Sequence, residues 1–368
     1  MRQAIYTLFN LLARRLDGPL MIVIVVLVTI GVVTIYSSSG AQTSDRALAQ
    51  VRNFALALGA MWIVANIPPQ KLMRLALPVY MAGMVLLVSV ALFGEIRNGA
   101  RRWLYLGVTT IQPSEIMKIG VPLVLAWFFH KREEGLRVTD FAIAALLLAL
   151  PTVLVLRQPD LGTAMLIFLS GAFVIFLAGL NWKILISLTV AGAAALPFAW
   201  GMLHEYQRQR VMTLLDPASD PLGAGYHIIQ STIAIGSGGL FGKGWLKGTQ
   251  GQLDFIPERS TDFILAVLGE EFGLVGILFL IALYIILIGR SMMIAINAST
   301  IFSRLLAAAI TLTFFTYAFV NMGMVSGILP VVGVPLPFVS YGGTALLSML
   351  VGFGILMSIS THKQLVSS

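Results

Sequence analysis

Ten apolar stretches, each long enough to cross a bilayer, leave this chain one way to fold: as a bundle of membrane helices. They fall at about 20–37, 54–69, 72–93, 114–130, 141–157, 161–179, 184–203, 263–289, 302–323 and 341–359. A hydrocarbon core about 30 Å thick takes roughly 20 apolar residues of helix. Inside it every backbone N–H and C=O needs a partner, and a helix supplies those partners internally. The 368 residues are 58% hydrophobic and only 11% charged, against roughly a quarter charged in a soluble domain. The expected fold is therefore all-α and polytopic: ten transmembrane helices in a single domain over 1–368, with one large loop at 204–262 between the seventh and eighth. An even number of spans puts both termini on one side.

The first run, Leu20 to Tyr36, follows Arg14 and Arg15 and is trailed by Ser37-Ser38-Ser39-Gly40-Ala41. It is longer than a secretory core and nine more spans follow, so it reads as an uncleaved first span. The chain has no cysteine, which excludes disulfides and thiolate metal sites. Its four scattered histidines do not suggest a zinc site. The net charge of +8 has two readings, ordinary positive-inside bias or an anionic partner such as lipid head groups or a phosphate-bearing substrate. No nucleic-acid partner is expected.

Orientation follows from Lys and Arg. With the N-terminus cytoplasmic, the inner segments hold about twice as many of them as the short outer ones. The inner set includes Arg2, Arg14, Arg15, Lys131, Arg132, Arg137 and Lys363; the outer set includes Arg46, Arg52, Arg97, Arg101, Arg102 and Arg157. Cytoplasmic termini are favoured. Outer charges that oppose the bias need another reason to be there, and Arg101-Arg102-Trp103 and the basic residues of the 204–262 loop supply anion-binding capacity on the outer face.

That loop is the one sizeable element outside the spans, and a loop this long usually carries function. Tyr226 to Ile235 reads as a short interfacial helix, followed by a glycine-rich turn from Gly236 to Gly244. The turn invites a phosphate-binding P-loop reading but fails it: Ser237 stands where the first glycine belongs and Gly244 where Ser or Thr should follow Lys243. A weaker anion-binding nest stays open. The stretch Gly327 to Phe338 is apolar, yet Pro330, Pro335 and Pro337 forbid a regular helix. Such backbone survives at membrane depth only when buried in protein or lining a cavity, so a re-entrant or cavity-lining hairpin is expected before the last span.

The loop ends in Pro257-Glu258-Arg259-Ser260-Thr261-Asp262-Phe263. Asp262 stands at the mouth of a membrane helix, where a carboxylate is costly without a task or a partner. Ser260 or Thr261 can cap that helix without it, and the helix dipole favours the anion while burial opposes it. An ionised carboxylate beside a cavity is what a general base requires, which makes Asp262 the first candidate for chemistry. Glu115 and Lys118 lie on one face at the start of the fourth span. They read either as a structural ion pair or as a cationic head, held by a carboxylate, that meets a phosphate. Asp160 reads as a helix cap or a further ligand on the same side. Glu270 and Glu271, two turns inside the eighth span, are expected to pair with arginine or with the segment near Pro330. Gln112-Pro113-Ser114 and Gln158-Pro159-Asp160 both precede a helix, a likeness that helix-entry chemistry alone can explain.

Taken together, Asn98-Gly99-Ala100-Arg101-Arg102-Trp103, Gln112-Pro113-Ser114-Glu115 with Lys118, Gln158-Pro159-Asp160-Leu161-Gly162-Thr163, Asp220 to Tyr226, Pro257 to Phe263 with Gly269-Glu270-Glu271, and Pro335 to Gly343 resemble the shape, elongation, division and sporulation (SEDS) family over essentially the whole chain. Pro-Glu-Arg before Thr-Asp is more similar to the elongation branch than to the division branch, which tends to carry Pro-Glu-Ala-His. Ser260 replaces a histidine common just before Thr-Asp. The resemblance implies a fold similar to multi-span glycosyltransferases that use lipid-linked sugars. It implies polymerisation of lipid II, the undecaprenyl-diphosphate-linked disaccharide pentapeptide, during cell elongation in the bacterial cytoplasmic membrane. The partners it implies are a class B penicillin-binding protein and other membrane proteins of the elongation machinery. On that reading Asp262 is the base of an inverting transfer, and Lys118, Arg101, Arg102 and Lys243 stabilise the leaving diphosphate, with Glu115 and Asp160 at the substrate. A divalent cation (Mg or Mn) is compatible, but no metal site is legible. The alternatives are a lipid II flippase or a non-catalytic scaffold; a flippase would be expected to show internal repeats, and none is evident.

Overall fold

The computed structural model describes residues 16–39, 45–97, 100–105, 110–133, 135–202, 205–217, 220, 223–253 and 255–362. Arg2, Arg14, Arg15 and Lys363, the Asn98-Gly99 pair and Pro221-Leu222 lie outside the described residues. The helices are α1 (Gly18–Ser38), α2 (Asp45–Ala65), α3 (Pro69–Phe93), α4 (Pro113–His130), α5 (Val138–Leu156), α6 (Leu161–Leu177), α7 (Trp182–Met202), α8 (Glu205–Leu215), α9 (Ala224–Ser237), α10 (Thr249–Gln252), α11 (Ile264–Ile296), α12 (Ile301–Val325) and α13 (Gly343–Thr361). Among the described residues, seven are long and apolar enough to cross a membrane: α1, α2, α3, α5, α11, α12 and α13. The chain is a multi-pass helical membrane protein.

Three boundaries differ from expectation, as do the helices α8 and α10 within the 204–262 loop and a small sheet. α2 begins at Asp45 rather than near 54, and one side of its polar first half is packed: Gln50 is fully buried and donates to Ser340 O at 3.1 Å. α11 runs on to Ile296, and α13 begins at Gly343. The fold is not purely helical, since β1 (Glu95–Arg97), β2 (Ala100–Tyr105) and β3 (Thr110–Ile111) form an antiparallel sheet in the order β1-β2-β3. Arg101 and Arg102 therefore sit on a strand, whose alternation sends neighbouring side chains to opposite faces.

The feature that shapes the bundle is a break in α11. Gly273 adopts φ 66°, ψ −163°, and the helix ladder fails around it. Open backbone at this depth needs partners, and the glycine-rich turn before α10 supplies them. Lys243 N donates to Glu270 O and Gly244 N to Glu271 O, both at 3.0 Å; Leu274 N donates to Gly239 O at 3.0 Å and Val275 N to Leu240 O at 3.1 Å. This backbone contact leaves no room for side chains. A Cβ on Gly242 would overlap Glu271 O, and one on Gly273 would lie 2.7 Å from Leu240 C. The loop is thus threaded into a helix break, and the P-loop resemblance of its glycines has a structural origin.

The segment after α12 is exposed at its start, where Ile328 is 71% exposed, and largely buried from Val334 on. Val334, Leu336, Phe338 and Val339 are buried, and Phe338 packs against Phe314 and Phe353 with ring centroids 5.3 and 5.2 Å away. Its carbonyls find side-chain donors: Tyr284 Oη donates to Pro337 O at 2.6 Å and Asn321 Nδ2 to Val334 O at 2.7 Å. At the opposite end of the bundle, Asp17 caps α1 through Leu20 N. It also takes a two-pronged hydrogen bond from Arg290, at 3.1 and 2.7 Å, and one from Ser360 at 3.2 Å, tying α1, α11 and α13 together.

Gly273→Ala should be destabilising by about 2–4 kcal/mol, because it combines a left-handed φ with a backbone clash; thermal unfolding in detergent reads it. Burial alone raises the Asp17 carboxyl, but the bonds from Arg290 and Leu20 N and the Arg290 charge outweigh it and hold it below its ordinary value. Its contribution is then complete above the ordinary carboxylate range and lost as pH falls through the lowered folded value. The melting-temperature gap between wild type and Asp17→Asn should accordingly be widest near neutral pH and close on acidification.

Candidate active site

Asp262 lies in the turn before α11, not in its first helical turn. Phe263 is the N-cap and neither Ser260 nor Thr261 caps the helix. Ser260 Oγ instead accepts from Arg46 Nη1 at 2.9 Å, and Thr261 Oγ1 donates to Glu258 Oε2 at 2.8 Å. Three consecutive carbonyls are held from outside the loop. Tyr341 N donates to Ser260 O at 2.8 Å, Ser340 Oγ to Thr261 O at 2.5 Å, and Asn321 Nδ2 to Asp262 O at 2.8 Å. The Asp262 carboxylate rests against Gly333, where an added Cβ would stand 3.3 Å from Oδ2; φ at Gly333 is +72°.

A second cluster builds up from the starts of α4 and α6. Lys118 Nζ donates to Glu115 Oε1 at 2.6 Å, and Ser348 Oγ of α13 donates to Glu115 Oε2 at 2.6 Å. Lys118 and Glu115 are both buried, and the ammonium lies 5.0 Å over the Tyr317 ring. Asp160 is the N-cap of α6, accepting from Thr163 N at 3.1 Å. It also meets Gln112 Nε2 at 3.4 Å and Arg102 Nη1 at 3.6 Å, while Arg102 Nη2 donates to Pro159 O at 2.6 Å. Arg101 is exposed and reaches Ala91 O. The two clusters meet across residues 332 and 333: a Cβ on Gly162 would lie 2.9 Å from Val332 O, and Gly333 adjoins Asp262.

Lys243 stands apart from this group. It binds Glu270 Oε1 at 2.7 Å, and Glu270 also accepts from Thr249 Oγ1, Gln250 N and Gly251 N. Glu271 accepts from Ser37 Oγ of α1. The partners of these two acids are thus a lysine, loop amides and a serine, rather than arginine or the Pro330 segment, because the loop threaded into the α11 break brings its own donors.

Reasoning from sequence passed over Arg46, Asn321, Ser340 and His227. Arg46 sits within reach of Asp262's loop because α2 begins early. Arg259 lies nearby, donating to Gly251 O at 2.8 Å; burial, and then repulsion from Arg46, lower its pKa. His227 stacks on Phe263 at 5.4 Å, and burial lowers its pKa despite Glu258 and Asp220, which favours the neutral ring. An unpaired Asn in an apolar helix was the one visible signal for Asn321. Beside the site, an apolar groove of about 380 Å³ runs along α3, α4 and α13 from the α2–α3 turn, at Val64 and Leu72, to a polar end at Gln112, Glu115 and Ser348.

Membrane-length helices, a charged site gathered at one end and an apolar groove leading to it define an integral membrane protein built to handle an amphiphile. The FtsW/RodA/SpoVE family model, described as cell cycle protein, matches residues 19–365, and the chain belongs to this family. It is 53% identical over 356 residues to the peptidoglycan glycosyltransferase MrdB of Escherichia coli K12, covering 96% of this chain and 95% of that protein. It is 36% identical over 363 residues to the probable peptidoglycan glycosyltransferase FtsW of Trichlorobacter lovleyi, with 95% and 94% covered. Among solved structures, it matches a chain from work on a peptidoglycan synthase complex that coordinates polymerization and crosslinking, with TM-score 0.82 and 35% identity over 95% of this chain and 99% of that one. It also matches the rod shape determining protein RodA of Thermus thermophilus, with TM-score 0.71 and 30% identity over 94% and 96%.

Removing one member of the buried Glu115–Lys118 pair strands the other. Lys118→Ala should cost about 3–5 kcal/mol of stability, and the double variant Glu115→Gln/Lys118→Met should recover most of it; thermal unfolding of the three proteins in detergent decides.

Proposed function

We propose that this chain is a peptidoglycan glycosyltransferase that polymerises lipid II into glycan strands. Its ten membrane helices are α1 to α7 and α11 to α13, with both termini cytoplasmic and the 204–262 loop outside, in the bacterial inner membrane. The observation that carries the reading is Asp262: a carboxylate at a helix mouth, with its own carbonyl and the two before it each held by a hydrogen bond and the backbone of Gly333 against its oxygen. Family membership and the peptidoglycan glycosyltransferase names of its relatives support the same reading.

In the proposed step Asp262 takes the proton from the 4-hydroxyl of the acceptor N-acetylglucosamine. The oxygen attacks the anomeric carbon of the lipid-linked N-acetylmuramic acid from the face opposite the diphosphate. The carbon–oxygen bond to undecaprenyl diphosphate breaks, and the leaving group takes the electron pair. Fixed cations aimed at that charge in a low-dielectric site are worth several kcal/mol. Arg102 and Lys118 are held for this by Asp160 and Glu115, and Arg101 and Arg46 line the approach. Arg46 and Arg259 repel one another, and an anion between them would relieve that repulsion. Lys243, held by Glu270, serves the site by anchoring the loop. Among the described residues no three His, Asp or Glu gather as metal ligands; a divalent cation would meet Asp262 or Glu115 as separate carboxylates.

The polyprenyl tail fits the groove between α3, α4 and α13. The groove's polar end brings the head group to Glu115 and Gln112. The relative solved in a peptidoglycan synthase complex supports a class B penicillin-binding protein as partner, with other elongation proteins around it.

Polymer formation from labelled lipid II tests the proposal, using the protein purified with its penicillin-binding partner and penicillin present to block crosslinking. Asp262→Asn should fold, bind the partner and lose at least about 100-fold in polymerisation rate. Wild-type polymer from the variant would remove Asp262 from the chemistry. Translocation of lipid II across vesicles with no polymer from wild type would favour a flippase, and partner binding with neither activity a scaffold.

A further inference from the structure

Asn321 has no exposed surface and sits in the last turns of α12, a largely apolar helix whose other buried polar side chains are hydroxyls. Its Nδ2 faces two carbonyl oxygens, Asp262 O at 2.8 Å and Val334 O at 2.7 Å. Only an amide nitrogen can meet two acceptors at once, so the orientation of the amide is fixed by its neighbours. Its Oδ1 is buried without a hydrogen-bond partner. A buried unpaired amide oxygen is unfavourable, so the residue's place in the core is accounted for by what its nitrogen does. That nitrogen joins the peptide carrying the carboxylate of Asp262 to the peptide beside Gly333, the residue the same carboxylate rests against.

We propose that Asn321 is a positioning residue for the transfer reaction: its two N–H bonds fix the distance between Asp262 and the 332–334 backbone and so aim the carboxylate at the acceptor hydroxyl. The inference rests on Asp262 being the base. Ser340 and Tyr341 hold the two preceding carbonyls, so the loop stays folded without Asn321. What is lost is the last link, at the reacting residue itself. Asn321→Asp tests this most sharply, because it keeps the size and shape of the side chain while turning a carboxylate oxygen toward two carbonyls.

The experiment measures lipid II polymerisation by the complex with its penicillin-binding partner, with rates normalised to folded, partner-bound protein. Asn321→Ala, Asn321→Asp and Asn321→Ser are compared with wild type and Asp262→Asn. For Ala and Asp, kcat should fall about 10–100-fold, the size expected for a misplaced catalytic group. KM for lipid II should change by less than about two-fold, since ground-state binding is untouched. Asn321→Ser, able to donate to one carbonyl, should fall in between, and it stands in should the alanine variant fail to fold. A merely architectural role would change the amount of folded protein, which the normalisation removes, and would leave kcat alone. Wild-type kcat in the Ala and Asp variants, or a loss confined to KM, overturns the inference. If Asp262→Asn is inactive while those variants run normally, the inference falls alone. If Asp262→Asn polymerises like wild type, the base assignment falls and takes the inference with it.

Discussion

Among the described residues, two irregular stretches of backbone, the break in α11 and the loop ending in Asp262, are closed by groups from elsewhere in the chain, and the candidate site depends on those closures. Hydrocarbon offers an exposed N–H or C=O nothing. The break at Gly273 is closed by the turn from Gly239 to Gly244, and the carbonyls of 260–262 are closed by Asn321, Ser340 and Tyr341. Asn321 donates from the regular helix α12, whereas the other donors come from irregular backbone. The consequence is mechanical: the loop ending in Asp262 is anchored at one end in the α11 break and at the other in the segment after α12. A carboxylate on a free loop would be aimed poorly; one whose peptide is pinned on consecutive carbonyls is pre-oriented.

The buried charges divide by how completely they are partnered. Glu270 collects Lys243, a hydroxyl and two amides, and such a saturated carboxylate has little left to offer a ligand. Glu115 is shared between Lys118 and Ser348, with the ammonium also over an aromatic face. Asp160 divides itself among a helix cap, Gln112 and Arg102, and its contact with Arg102, at 3.6 Å, is long for a hydrogen bond. The gradient from Glu270 to Asp160 runs from architecture toward the mouth of the site. There burial, and then the like charge of Arg46, lower the pKa of Arg259.

How much of this was legible in the sequence depends on the physics behind each element. The multi-pass helical character could be read because hydrophobic length is a one-dimensional property. Glu115 with Lys118 and the cap at Asp160 could be read because spacings of three residues are local. The early start of α2 could not, because Gln50 and Arg46 look solvated until Ser340 and Ser260 arrive from elsewhere in the chain. The partner of Glu270 was missed for the same reason: Lys243 reaches it only once a loop has been threaded into a helix that the sequence shows as continuous. Gly273 in an apolar run carries no mark distinguishing a break from an ordinary helical glycine. Asn321 did carry a mark, a lone amide among apolar neighbours, but its partners are two carbonyls of irregular backbone, one in the loop before α11 and one in the proline-rich segment after α12.

For the proposed substrate, the groove and the site divide the work between tail and head. A polyprenyl chain moving from lipid into a lipid-facing groove exchanges one apolar environment for another, so the hydrophobic effect contributes little to selecting it. Selection then falls to the polar end, where Gln112, Glu115 and Ser348 close the groove and Lys118 lies directly behind Glu115. A diphosphate arriving there meets a lysine already neutralised by a carboxylate, which weakens ground-state attraction. As the leaving group gains charge, the lysine can shift its interaction from Glu115 toward the diphosphate, with Ser348 still holding Glu115. An ion pair that competes with the substrate in the ground state and yields to the leaving group in the transition state favours turnover over tight binding, which is the differential that accelerates a reaction.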